Sequence, residues 1–140
     1  MTDIWINTGA AAAYGAVSLV VMLVSYLIVD VLTPGKLHKL IWEQKSKGAS
    51  ALVAVNLLSS AWIVRQAILS SDDGLAAGLL STAIYSIVGI VLMAVAFLAV
   101  DALTPGKLGD VVTGDRFHPA LVVTLAAHAS IALVMAAAIS

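Results

Sequence analysis

No cysteine occurs among the 140 residues, which excludes disulfides, thiolate metal sites and thiol nucleophiles together. Charge is scarce too: Asp, Glu, Lys and Arg make up 11% of the chain, against about 25% in an ordinary soluble domain. No nucleotide-binding loop, GxGxxG, HExxH or catalytic-triad pattern is present. His128 stands by itself on its segment, and His38 and His118 fall in the polar stretches, so no haem or zinc ligand set is expected. The reading is non-enzymatic, with no cofactor and no nucleic-acid partner.

What fills the chain is apolar. Hydrophobic residues make up 61% and the mean hydropathy is +1.07. Residues 9–29, 48–64 and 74–100 contain no charge, and 119–140 contain only His128 as a titratable side chain. A helix needs roughly 20 residues to cross a hydrocarbon core of about 30 Å, so these runs predict four transmembrane helices, the second extended through Arg65 to about Ser70. Little chain remains for a soluble domain. The flank "MTDIWINT" carries Asp3 and no basic residue, so the first span is expected to be a membrane helix and not a cleaved signal.

Charge placement predicts orientation. Lys36, Lys39, Lys45 and Lys47 lie between the first two spans, and Lys107 and Arg116 between the last two. The N-terminal flank and "SSDDG" hold Asp3, Asp72 and Asp73 without a basic residue. Lys and Arg collect in cytoplasmic loops, so both long loops are expected to face the cytoplasm and both termini the outside.

The chain states one phrase twice: "VDVLTPGKL" at 29–37 and "VDALTPGKL" at 100–108, 71 positions on. At the same offset Tyr14 meets Tyr85, Val17 meets Val88, Met22 meets Met93, and Ser59 meets Ser130. A duplicated two-helix unit follows, 1–71 and 72–140, each with two crossings. Both copies then enter the membrane the same way round, as parallel repeats about an axis along the membrane normal. The expected product is a four-helix bundle with pseudo-twofold symmetry.

Within the phrase, Thr33 suits an N-cap and Pro34 the first helical position. Leu37, Leu40 and Ile41 then share one helical face, and Trp42 favours an interface. A short amphipathic helix is expected to lie on the cytoplasmic surface after each odd-numbered span, with Lys36 and Lys107 among anionic headgroups. Gly109 and Gly114 predict a shorter or frayed second copy. Asp30 and Asp101 occupy equivalent ends of the first and third spans, where they can bind a cation or carry a proton, or else bond the backbone of the corner helix or pair with the nearby lysine. Arg65 can bind an anionic group or a partner, reach headgroups along its stem, or pair with Asp72 or Asp73. Asn56 and His128 lie deep within their spans and, with Arg65, make up the intramembrane polar set. They can line a small site or join helices.

The duplicated corner, Asp30, Thr33, Pro34, Gly35, Lys36 and Asp101, Thr104, Pro105, Gly106, Lys107, is followed each time by a small-residue helix, "GASALVAVN" and "HPALVVTLAAH". In this the chain resembles a family of small bacterial inner-membrane proteins, domain of unknown function 350 (DUF350). The resemblance covers nearly the whole chain and implies four spans, an internal repeat and a bacterial plasma-membrane location. Two functional readings remain: an oligomeric or partner-bound membrane subunit or scaffold, and a minimal oligomeric transporter or channel in which Asp30 and Asp101 recruit a small cation.

Overall fold

Each charge-free run lies within one long helix. In the computed structural model, which describes residues 2–71, 74–103, 108–114 and 116–139, the long helices are α1 (Thr2–Leu32), α3 (Lys47–Leu69), α4 (Gly74–Leu103) and α6 (Pro119–Ile139). All four are long and apolar enough to cross a membrane. Two short helices, α2 (Leu37–Trp42) and α5 (Leu108–Thr113), sit at the corners between them, and no strand occurs among the described residues. At about 1.5 Å per residue α1 and α4 exceed the ~30 Å hydrocarbon thickness, so they tilt or protrude.

The least hydrophobic helix is the central one. α3 has a mean hydropathy of 1.6, against 2.2 to 2.6 for the other three, and its span is also the most buried. It carries Asn56, Ser59 and Ser60 inward. α3 and α4 each pack against all the other spans, whereas α1 and α6 pack against those two and not comparably against each other. A twofold axis exchanging the two units would map the α3–α4 contact onto α6–α1. The physical reason for the asymmetry is connectivity. Only residues 70–73 separate the end of α3 from the start of α4 along the chain, whereas α6 and α1 are not consecutive.

The two short helices are 71 residues apart, α2 at 37–42 and α5 at 108–113. The buried faces do not follow that offset. Ala49, Leu52, Asn56, Ser60 and Val64 of α3 are answered in α6 by Leu121, Thr124, His128, Ala132 and Ala136, each 72 positions on. One residue is about 100° of helix rotation, so α6 is turned relative to its sequence counterpart. Ser59 is thereby buried while Ser130 is exposed.

Two expectations at the corners are corrected. Thr33 does not cap α2: its N–H still bonds Val29 O at 3.0 Å, continuing α1, and its hydroxyl is buried without a partner. α2 begins only at Leu37, after Lys36, because Gly35 turns the chain at φ +89, in the left-handed region that L side chains avoid. Nor is α5 shorter than α2, since both have six residues. Gly109 does not fray α5 but admits the Pro34 ring, which fills the place its Cβ would take. The two corners therefore touch.

The apolar side of α2 is used inside the protein. Leu37 and Leu40 are buried in one cluster with Val29, Ala49, Leu52, Phe97, Val112 and Leu121, closing the corner end of the bundle. Burying a leucine is worth about 1.5–3 kcal/mol. A second cluster toward the opposite end, here the turn end, joins Val21, Ile63, Val64, Ile90, Met93, Ala132 and Met135.

Candidate functional site

The first corner is tied by its aspartate. Asp30, on the last turn of α1, accepts a hydrogen bond from the Leu37 N–H at 2.7 Å. This gives the first residue of α2 the partner that a helix start lacks. Asp30 is half-buried, as is Asp101, which also has a partner of its own. Thr104, Pro105, Gly106 and Lys107, like Asp72 and Asp73, lie outside the described residues.

Around this corner the cations face outward. Lys36, Lys39, Lys45 and Lys47 are exposed, and Trp42, exposed at 73%, has the His38 ring 6.5 Å away. Arg116 is exposed at the other corner. Ser46 joins the corners: its hydroxyl donates to Val112 O at 2.9 Å and accepts from Ala49 N at 3.2 Å, capping α3. Nothing in the sequence distinguished Ser46 from any other loop serine.

Inside the bundle the polar groups bond in a ring. Asn56 Nδ2 donates to Ser25 Oγ at 2.9 Å, Ser25 and Ser60 hydroxyls meet at 2.7 Å, and Ser60 Oγ donates back to Asn56 O at 2.8 Å. Because the Ser60 proton goes to that carbonyl, Ser25 must be the donor to Ser60. Ser25 of α1 is the member that sequence reasoning missed, for it was one hydroxyl in an apolar run with no spacing to link it to α3.

His128 and Asn56 hold equivalent inward positions on α6 and α3, but each is bound separately. His128 Nδ1 lies 3.1 Å from Thr124 O, which requires the proton on Nδ1, and the ring meets Phe97 edge-on at 6.0 Å and 76°. Asn56 Oδ1 remains without a hydrogen-bond partner, as do the buried hydroxyls of Thr82 and Ser86 on α4. Arg65 is in a different place. It is exposed, with its guanidinium carbon 5.6 Å from the Trp62 ring centroid. Among the described residues no group of His, Asp and Glu is arranged to hold a metal.

A bundle of four apolar helices, polar where helices meet and basic at its corners, defines a multi-pass α-helical membrane protein. The chain belongs to the family described as Domain of Unknown Function (DUF350), whose profile matches residues 3–139. It is 34% identical over 110 residues to a UPF0719 transmembrane protein of Mycolicibacterium paratuberculosis, covering 79% of this chain and 73% of that one. It is 32% identical over 140 residues to a UPF0719 transmembrane protein of Mycobacterium bovis, covering 100% of this chain and 92% of that one. No solved structure matches the chain.

Proposed function

We propose that the chain is a non-enzymatic integral membrane subunit or scaffold of the bacterial plasma membrane, acting as a homo-oligomer or bound to a larger partner. The observation that carries this is the division of labour at the first corner. Leu37 and Leu40 are spent on the bundle core, so what the corner offers outward is Lys36, just before α2, with Lys39 and Trp42 on it. Exposed lysines beside an aromatic at a membrane boundary suit anionic headgroups or an acidic protein surface. In this reading both corners face the cytoplasm, both termini face out, and the two units, 1–71 and 72–140, are parallel repeats of one ancestral hairpin.

The bond from Leu37 N to Asp30 weighs against the second reading, a transporter recruiting a small cation through Asp30 and Asp101. That carboxylate already serves the corner backbone.

Native mass spectrometry of the protein extracted with its own lipids tests the proposal. A stoichiometric protein partner, or a defined homo-oligomer, that is lost on K36E/K39E/K107E and kept on D30N/D101N supports it. Cation flux in liposomes that is abolished by D30N/D101N and kept on charge reversal overturns it in favour of the transporter.

A further inference from the structure

Among the described residues Arg65 is the one Lys or Arg that falls between the ends of a span rather than at a terminus or corner. It lies four residues before the end of α3 at Leu69, about 6 Å along the axis. No ion pair to it occurs among the described residues; its contact is the Trp62 ring. A cation at that depth needs an anionic or aqueous partner, because charge is costly in hydrocarbon.

Beside it is a groove between α1 and α3 of about 330 Å³, lined by Ser18 and Met22 of α1 and by Ala61, Val64, Arg65 and Ile68 of α3. That volume is within the ~300–1,000 Å³ of small-molecule sites. The depths of its residues are ordered. The antiparallel register is set by Tyr14 bonding Ser71 and Ser25 bonding Ser60, which puts Ser18 near the level of Arg65. Met22 and Ala61 lie a turn deeper, toward the bilayer centre. The Ser18 hydroxyl is occupied as a donor to Tyr14 O at 2.7 Å, so the guanidinium is the donor that an incoming anion would meet.

We propose that this groove seats one anionic phospholipid of the leaflet at the turn end, opposite the lysine-rich corners. The headgroup phosphate is bound by Arg65 and an acyl chain lies along Met22, Ala61 and Val64. Charge complementarity selects the lipid: among the described residues the site has one cation, its mouth is about 6 Å from the end of α3, and its floor is apolar. Arg suits phosphate because its donors form a fork that engages two oxygens. Trp62 holds that fork in place through its ring face. This lipid is distinct from those attracted by the corner lysines, and the inference does not depend on what the corners contact.

The test is native mass spectrometry of the full chain in detergent micelles, titrated with phosphatidylglycerol or with phosphatidylcholine of the same chains. The wild type is expected to retain one phosphatidylglycerol in preference to phosphatidylcholine by about tenfold. R65Q, at an exposed position, is expected to keep its helical circular dichroism and lose the preference. A61F, which fills the groove, is expected to retain neither lipid. Glycerol phosphate, which has the headgroup charge and no chain, is expected not to compete. Retention of the preference by R65Q, equal retention of both lipids by the wild type, or competition by glycerol phosphate would overturn the proposal.

Discussion

Asp30 and Leu37 stand seven residues apart and meet across the corner, carboxylate oxygen to backbone N–H, at 2.7 Å. The bond ties the end of a membrane span to the start of a helix that runs another way. It also places Leu37 and Leu40 against the bundle. Side-chain capping of this kind is worth about 0.5–2 kcal/mol. D30A is therefore expected to destabilise the protein by about 1–2 kcal/mol, seen as a lowered thermal midpoint in detergent followed by circular dichroism. D30N, which keeps an oxygen acceptor, should lose less. Equal losses for the two variants would show that the capping bond is not what Asp30 contributes.

The ring formed by Asn56, Ser25 and Ser60 makes a different prediction. S25A removes two of its bonds, leaving the buried Asn56 amide donor unpaired and the Ser60 hydroxyl without its incoming donor. Interhelical hydrogen bonds in membranes measure about 0.6 kcal/mol on average and up to about 1.7, so S25A should cost roughly 1–2 kcal/mol. A double-mutant cycle of S25A with N56A, read by denaturant unfolding in mixed micelles, should give a coupling above about 0.5 kcal/mol. Simple additivity would mean that the ring does not tie α1 to α3.

Two glycine-to-alanine changes should act in opposite senses. Gly15 lies in α1 with nothing within 4 Å of where a Cβ would stand, so G15A should stabilise by up to about 1 kcal/mol through helix propensity. At Gly109 the added methyl meets the Pro34 ring, so G109A should destabilise by about 1–3 kcal/mol through overpacking. P34A in the G109A background should recover part of that loss. Without such recovery, the contact between corners is not the cause.

The absence of cysteine makes orientation simple to measure, because each introduced thiol is the only one in the chain. K45C and L75C, at opposite ends of α3 and α4, should be labelled from opposite sides of intact cells by a membrane-impermeant maleimide. Labelling of L75C from outside and of K45C only after permeabilisation is expected from the lysine-rich corners. The reverse pattern would mean that the corners face out.

The spans were legible in the sequence because charge is so costly in lipid that its absence marks a helix almost by itself. The second span, extended from its charge-free run to about Ser70, ends in the structure at Leu69. The place of α2 was legible from the shared face of Leu37, Leu40 and Ile41. Its first residue was not, since Thr33 and Pro34 satisfy every local rule for a helix start and only the turn at Gly35 overrides them. Sequence identity placed Ser59 and Ser130 as equivalents, yet one is buried and the other exposed. A repeat fixes which residues correspond along the chain, and packing decides by how much a helix is rotated. The polar set of Asn56, His128 and Arg65 came apart for the same reason. Composition showed that each was costly in lipid, but only the helix faces show that Asn56 and His128 point inward while Arg65 sits at the rim.

Of the two helices that touch every other span, α3 is also the span least at home in lipid. During synthesis α3 reaches the membrane while only α1 is available to cover Asn56 and Ser60, and Ser25 of α1 supplies the bonds they need. Integration of the second span is thereby coupled to the presence of the first. Ser25 thus lets the most polar span find its partners in the helix that precedes it in the chain.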